Sequence, residues 1–249
     1  MAGKKPRLDH LVFERGLAES REKAKALIMA GKVLVNDRPA EKPGTPTNPT
    51  ADIRLRGTLP YVSRGGEKLV GALDALGVDP TGGDWLDVGQ STGGFTDVLL
   101  QRGAAHVTGI DVGYGQLANK LRQDPRVSCM ERTNARTLPP DFFQGRRFDG
   151  AVIDVSFISL RSVLPAVAPH LRIGASTLAM VKPQFEAGRE RLGKGGVVRD
   201  PEVIAECVAQ IAAFGGELGL AARGEAPAPI QGPKGNQEVF VLFEKISDA

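Results

Sequence analysis

Leu86-Asp87-Val88-Gly89-Gln90-Ser91-Thr92-Gly93-Gly94-Phe95-Thr96-Asp97 is the stretch on which the fold turns. An apolar run over residues 85–88 stops at Gly89, a Gly-rich turn follows, and helical spacing resumes over residues 96–101. A strand that passes through glycines directly into a helix is the repeating unit of parallel α/β sheets. The alternation continues outward. Residues 107–111, 126–129, 148–154 and 176–181 read as strands, and residues 116–122, 160–170 and 201–214 as helices. Residues 217–225 and 237–244 read as two more strands with no helix between them. The expected fold class is α/β, with a doubly wound, mostly parallel sheet, helices on both faces and a hairpin-like pair at the end.

Ahead of this lies a segment of different character. Residues 7–15 and 20–30 read as short helices, with Leu8, Leu11 and Val12 on one face and Ala24, Leu27 and Ile28 on another. Gly16 and Gly31 are placed to end them, and Ser20 to cap the second. A strand over residues 32–37, a Pro/Thr/Asn-rich loop and a strand near residues 52–55 follow. Through Pro60 there are 12 Lys and Arg against 7 Asp and Glu, and beyond it 20 against 22. The whole positive excess therefore sits in the first quarter of the chain, which implies a polyanionic partner there. Two domains are expected: a small α+β domain over residues 1–58, a linker over 59–62, and the α/β domain over 63–249.

Composition excludes several classes. Apolar residues form 41% of 249, enough for a core, yet no run approaches the ~18 apolar residues of a membrane span. The basic start lacks the apolar segment of a secretory leader. Cys129 and Cys207 have no metal-ligand spacing, so they read as thiols in a reducing compartment and the cytoplasm is the expected location, with no metal and no membrane partner.

Three chemistries compete for the Gly-rich turn. Gly89–Gly93 fits the G-x-S-x-G elbow of a hydrolase, with Ser91 as nucleophile and Asp154 and His170 as partners. Gly89-x-Ser91-x-x-Gly94 approximates a dinucleotide fingerprint but has serine where the backbone must approach a pyrophosphate. The third is S-adenosylmethionine, which brings no phosphate. It needs a tight Gly turn, an acid early in the turn for its amino-acid end, and a carboxylate after the next strand for its ribose hydroxyls. Asp87 and Asp111 occupy those places, so this reading accounts for the most residues.

Further charges fall where a parallel sheet binds ligands. Asp154 ends one strand and Lys182 the next, Glu238 begins the last strand, and Lys68 lies on the helix before the first. If the last strand is antiparallel, all four converge at the carboxyl edge. Arg64-Gly65-Gly66-Glu67-Lys68-Leu69, Asp87-Val88-Gly89, Ser91-Thr92-Gly93-Gly94-Phe95-Thr96-Asp97, Asp154-Val155-Ser156-Phe157-Ile158-Ser159-Leu160, Val181-Lys182-Pro183-Gln184-Phe185-Glu186 and Gly235-Asn236-Gln237-Glu238 resemble the TlyA family. Its members carry a hemolysin name but are similar to FtsJ-type ribose 2′-O-methyltransferases. Residues 6–55 resemble the S-four RNA-binding module, on Arg15, Ser20-Arg21, Ala24, Ile28, Gly31 and Val33-Val35-Asn36.

The resemblance implies a class I (Rossmann-like) S-adenosylmethionine-dependent RNA methyltransferase acting on ribosomal RNA or ribosomal subunits, with cytidine 2′-hydroxyls as targets. It implies a catalytic tetrad of Lys68, Asp154, Lys182 and Glu238. Lys182 is expected closest to the 2′-oxygen, with Lys68 favouring its neutral amine and the two carboxylates orienting it and offsetting excess charge. Cofactor contacts are expected from Asp87, Gly89, Ser91, Gly93, Gly94, Phe95 and Asp111. RNA contacts are expected from Arg7, Arg15, Arg21, Lys23, Lys25, Lys32 and Arg64, and from Arg189 and Lys194 on a mobile, Gly-rich clamp over residues 186–196, with residues 231–236 flanking the same site. Gln90 departs from the family's small residue and is expected to crowd the cofactor's methionine end. A non-catalytic RNA-binding factor and a membrane-active hemolysin are the competing functions.

Overall fold

The computed structural model describes residues 5–56, 60–232 and 234–248. The expected domain boundary at residue 58 and the first linker residue, 59, lie outside these. By contacts the chain divides into two compact units, Met1–Pro60 and Tyr61–Ala249.

In the first unit, helices α1 (Leu8–Glu14) and α2 (Arg21–Met29) pack on a three-stranded antiparallel sheet of β1 (Val33–Val35), β2 (Arg38–Pro39) and β3 (Ile53–Leu55), ordered β2-β1-β3. Ser20 caps α2 by accepting from Lys23 N at 3.1 Å. Asn36 and Asp37 both adopt positive φ, which Asn and Asp tolerate, and turn β1 into β2. Leu8, Val12, Ala24, Ile28 and Val33 are fully buried between the layers. Asp9 is buried among them and is answered by Arg7, which donates twice to its carboxylate at 3.0 and 2.9 Å. Those hydrogen bonds hold its carboxyl pKa below the usual carboxylate range against the opposing effect of burial.

The second unit is built on a seven-stranded sheet. In chain order its elements are α3 (Gly65–Leu76), β4 (Asp84–Val88), α4 (Gly94–Gln101), β5 (His106–Ile110), α5 (Asn119–Arg122), β6 (Val127–Met130), β7 (Phe148–Ile153), α6 (Leu164–Val167), β8 (Leu171–Val181), α7 (Pro183–Glu186), α8 (Pro201–Glu217), β9 (Leu220–Pro227) and β10 (Val239–Lys245). The strand order is β6-β5-β4-β7-β8-β10-β9, with β4 to β8 parallel and β10 antiparallel between β8 and β9. The order reverses between β4 and β7, so the loops after these strands diverge and leave a crevice at the carboxyl edge.

Both faces of the sheet are covered, which explains the continuous apolar runs. Trp85, Val107, Val152, Leu178, Met180 and Phe240 face α3 and α4. Leu86, Val88, Ile110, Ala151, Ile153, Ala179, Val181 and Phe243 face α6 and α8. The indole of Trp85 lies over Gly150, where a Cβ would meet its ring at 2.6 Å, so a glycine in mid-strand makes room for the only tryptophan.

Some expected elements differ. The helix expected over 160–170 is three short turns, with Pro165 and Pro169 preventing a continuous ladder. The helix expected over 116–122 shrinks to α5. Strand β8 begins at Leu171, five residues before the apolar run that announced it, because residues 172–174 are exposed.

Candidate active site at the carboxyl edge

Strand β4 delivers the Gly-rich turn to the crevice. Gly89 (φ 89°) receives the turn, and a Cβ there would lie 2.3 Å from the carbonyl oxygen of Asp154. No side chain fits that approach, so glycine is required both by backbone conformation and by the neighbouring strand. Ser91 follows at φ 48°, its amide donating to Asp111 Oδ2 at 2.8 Å and its hydroxyl to Gln116 Oε1 at 3.2 Å. Asp111 also accepts from Gly113 N through Oδ1 at 2.6 Å. Asp111 thus ties the turn after β4 to the loop after β5, and each of its oxygens retains a lone pair toward solvent or ligand.

A cleft of about 550 Å³ runs along these loops, lined by Gly89, Ser91, Ile110, Asp111, Val112, Gln116, the 133–136 turn and residues 154–158. Its walls combine apolar side chains with a carboxylate at the end of β5, and Val112 is 70% exposed on its rim. This donor set fits the nucleoside half of S-adenosylmethionine: a carboxylate for ribose hydroxyls and apolar contact for a purine, with Arg136 the single cation among the described lining residues. A smaller cleft, about 360 Å³ around Asp79, Gly83, Trp85 and Asp149, opens at the opposite edge, away from the ends of the strands where the Gly-rich turn lies.

Not every residue expected to touch a cofactor lines this cleft. Asp87 is buried, accepting from Thr96 Oγ1 at 2.6 Å, and burial pushes its carboxyl up to about 7. Phe95 lies in the core beside Phe240, with ring centroids 6.0 Å apart. A Cβ on Gly93 would strike Leu117 and Leu121, and one on Gly94 would strike Ser63 and Gly66. Their lack of side chains serves helix packing. Gln90 differs most from expectation. It is turned under the loop, 3% exposed, and donates to Thr96 Oγ1 at 2.9 Å, lying over Gly109 where a Cβ would be 2.0 Å from its amide. It does not crowd the cleft.

The hydrolase reading fails on geometry. His170 is buried just before β8, at the opposite sheet edge from Ser91, with its ring edge-on to Phe143 at 4.8 Å.

The four expected catalytic residues meet in pairs. Lys182 Nζ stands 2.5 Å from Asp154 Oδ1 and donates an aligned hydrogen bond to Ser156 Oγ at 2.9 Å. The contact with Asp154 is a charge contact without hydrogen-bond alignment. Lys68 Nζ donates to Glu238 Oε2, with both side chains buried. Val239 pairs with Val181 in the antiparallel register, which sets Glu238 across from Lys182 and brings the two ion pairs to adjoining strand ends. The expected convergence is therefore met as two neutral pairs.

Sequence reasoning gave no role to several neighbours. Ser156 holds Lys182. Phe157, at φ 67°, is 90% exposed with its ring 5.4 Å from Phe185. Glu186 accepts from Ser159 Oγ at 2.6 Å and Leu160 N at 2.8 Å. The one available signal was an aromatic residue, Phe157, directly after Ser156 in a motif where polar and apolar residues are mixed.

The expected RNA-facing cations divide likewise. Lys23, Lys25 and Lys32 have no ion-pair partner among the described residues. Arg7 and Arg21 share Asp9, Arg21 at 3.6 Å. Arg15 donates to the carbonyls of Ala51 and Pro49 at 2.7 and 2.5 Å, so its guanidinium braces the loop before β3. Arg64 is half-buried at the start of α3, while Arg189 and Lys194 are exposed. The segment carrying the last two is pinned. Arg191 pairs with Glu206 at 2.5 Å, and buried Asn236 accepts from Val198 N at 2.9 Å and donates to Gly196 O at 3.2 Å. Among the described residues no cluster of His, Cys, Asp and Glu is placed to hold a metal, and no helix is long and apolar enough to cross a membrane.

Residues 61–245 match the model of the FtsJ-like methyltransferases, and residues 6–53 match the S4 domain. The chain is 47% identical to the 16S/23S rRNA (cytidine-2′-O)-methyltransferase TlyA of Mycobacterium tuberculosis, over 98% of this chain and 92% of that protein. A solved structure of a Streptococcus thermophilus protein named as a hemolysin superposes with a TM-score of 0.77 at 44% identity, covering 99% of this chain and 90% of the other. At the level of fold alone, the chain is similar to the N-methyltransferase NodS of Bradyrhizobium japonicum in complex with S-adenosyl-L-homocysteine, with TM-score 0.52, 13% identity and coverage of 77% and 90%.

Proposed function

Because the chain belongs to the FtsJ-like methyltransferase family, we propose that it transfers the methyl group of S-adenosylmethionine to a ribose 2′-hydroxyl of ribosomal RNA, with cytidine as the target nucleoside. The substrate assignment follows the mycobacterial relative's activity. The observation that carries the reading is Lys182, held by Asp154 and Ser156, two residues lining the cleft that Asp111 also lines.

The cofactor, when bound, supplies a methyl group already activated on a sulfonium. Gly89, Ser91 and Asp111 hold its nucleoside half, and Asp87, Gly93, Gly94 and Phe95 shape the turn from behind. A ribose hydroxyl is a weak nucleophile, so the chain's own work is alignment and removal of one proton. Lys182 Nζ is the atom nearest the 2′-oxygen; having first released its ammonium proton to solvent, the neutral amine takes up the hydroxyl proton as the new bond forms. Asp154 and Ser156 fix Nζ in place. Lys68 and Glu238 complete the charge balance on the adjoining strand end, so that the site carries no net charge before RNA arrives. Phe157 presents its ring as a stacking platform for the target base, since every base has a π-face and this ring has little protein to cover it.

Residues 1–58 form the RNA-binding domain, 59–62 the linker and 63–249 the catalytic domain. Lys23, Lys25 and Lys32, with Arg7 and Arg21, neutralise phosphates on folded RNA, while Arg64, Arg189 and Lys194 contact RNA near the site. Ribosomal subunits are the partner, and the cytoplasm is the place of action.

The test is transfer from methyl-labelled S-adenosylmethionine to purified ribosomal subunits and to intact ribosomes, followed by alkaline hydrolysis of the RNA. Label in alkali-resistant dinucleotides is expected, because a methylated 2′-oxygen cannot attack the adjoining phosphate. Label on a base, or cofactor binding without transfer to any of these substrates, would sink the proposal, the second in favour of a non-catalytic RNA-binding factor.

A further inference from the structure

The loop after β7 carries an apparent liability. Phe157 combines a left-handed backbone with a ring 90% exposed to solvent. A left-handed conformation costs a bulky residue about 1–3 kcal/mol and persists only where its surroundings over-determine it. Here they do so from both sides. Upstream, Asp154 and Ser156 are tied to Lys182. Downstream, both oxygens of Glu186 are spent on the loop, one on Ser159 Oγ at 2.6 Å and the other on Leu160 N at 2.8 Å. Between these ties Phe157 rests at 5.4 Å from Phe185.

Glu186 comes with its own expense. Burial pushes its carboxyl up, and the bonds from Ser159 and Leu160 oppose that shift. A half-buried carboxylate whose two oxygens both serve one loop is a fastener for that loop. It sits four residues after Lys182 on α7, so one short helical turn carries the group nearest the 2′-oxygen and the group that fixes the base platform. The distance between the sugar position and the base position is thereby set within a single rigid piece.

We propose that Glu186 is a positioning residue for the target nucleotide, acting through the loop that carries Phe157. The inference rests on the methyltransferase reading given above. It is tested on the full-length protein with Glu186→Ala, Glu186→Gln and Phe157→Ala, using hydrogen exchange of residues 155–161 and methyl transfer to ribosomal subunits. Glutamine can still accept from Leu160 N and donate to Ser159 Oγ, so it is expected to retain slow exchange and most of the activity. Alanine is expected to speed exchange in this loop and to lower kcat about tenfold to a hundredfold. KM for subunits and Kd for S-adenosylmethionine stay within about twofold of the parent, since the cofactor loops are untouched. In the double variant with Phe157→Ala, the losses do not multiply.

Unchanged exchange in Glu186→Ala overturns the inference, as does a Glu186→Gln variant as impaired as the alanine, or losses that multiply with Phe157→Ala. Should Glu186→Ala fail to fold, Ser159→Ala removes one of the two bonds without stranding a charge. It must show the same changes in smaller degree, and unchanged exchange there overturns the inference equally. Faster exchange in Glu186→Ala alongside a parent protein that methylates no ribosomal RNA would keep the fastener but sink both the function and the positioning role. Normal methylation with unchanged exchange would sink the positioning role alone.

Discussion

Lys182 Nζ lies 2.5 Å from Asp154 Oδ1 at the ends of two neighbouring parallel strands, while its aligned hydrogen bond goes to Ser156 Oγ at 2.9 Å. The amine is thus held by two groups of one loop and points out of a shared strand edge. Lys182→Ala removes the atom assigned to the 2′-hydroxyl proton. Methyl transfer is expected to fall by about 10²- to 10⁴-fold, with calorimetric affinity for S-adenosylmethionine little changed. Retained transfer in this variant would remove Lys182 from the mechanism.

Gly89 is the tightest point of the cofactor loop. In Gly89→Ala the methyl group would lie 2.3 Å from the carbonyl oxygen of Asp154, at φ 89°. Strain of about 1–3 kcal/mol is expected, together with weaker cofactor binding, because relief requires β4 and β7 to part. Thermal melting with and without cofactor measures both. An alanine variant as stable as the parent would mean that the approach is slacker than described.

The buried pair of Lys68 and Glu238 makes a three-variant prediction. Lys68→Met or Glu238→Gln alone strands or unbalances a buried charge, at a cost of about 3–5 kcal/mol for a fully isolated one. The double variant leaves no charge and is expected to recover much of that stability while remaining inactive. Denaturant midpoints of the three proteins decide it. Additive losses would show that the two side chains do not depend on each other.

For Asp87 the sign of the pH effect follows from burial. Its carboxyl, pushed up to about 7, keeps its proton in the folded chain across a window where the unfolded chain has released it. Between about pH 4 and pH 7 the folded state therefore binds more protons, and stability falls as pH rises through that window. Asp87→Asn abolishes this titration, so its stability relative to the parent should rise from pH 4 to pH 8. A difference constant over that range would contradict it.

Gln90 is expected to act as packing. Gln90→Ala removes a buried amide that covers Gly109 and donates to Thr96, so a loss of about 1–3 kcal/mol is anticipated. Cofactor affinity should not improve. Tighter binding by calorimetry would restore the view that the side chain obstructs the cleft.

The sequence placed the candidate catalytic groups at strand ends, and the observed pleat accounts for why they share a face. Val152, Met180 and Phe240 all face α3. Two residues beyond the first two stand Asp154 and Lys182, and two before the third stands Glu238, so all three continue the same face and meet Lys68 descending from α3. Side-chain direction within loops was not readable in this way. Gln90 turned inward because Gly109, nineteen positions later, leaves room for it, and no local pattern announces such a vacancy. The pairing of Phe157 with Phe185 and of Glu186 with Ser159 joins two loops that no periodicity relates. Arg15 was expected to contact RNA through its place in the module pattern, whereas the carbonyls of Pro49 and Ala51 that claim it come from a loop brought near by folding. The breaks in the 160–170 helix, by contrast, were present in the sequence as Pro165 and Pro169 and were outweighed by the apolar spacing.

Strand β10 is the last of the seven to emerge in the chain order, yet it occupies an interior position between β8 and β9. Until it inserts, β8 presents an open edge and β9 has nothing to pair with, and Glu238 cannot reach Lys68 across 170 positions of chain. Closing so long a loop is an entropically late event in folding. The reactive centre is therefore absent from every partly folded form that lacks this strand, and acquiring activity reports that the sheet is complete. The same order exposes the β8 edge to pairing with other chains during folding, so slow insertion of β10 is where aggregation competes with maturation.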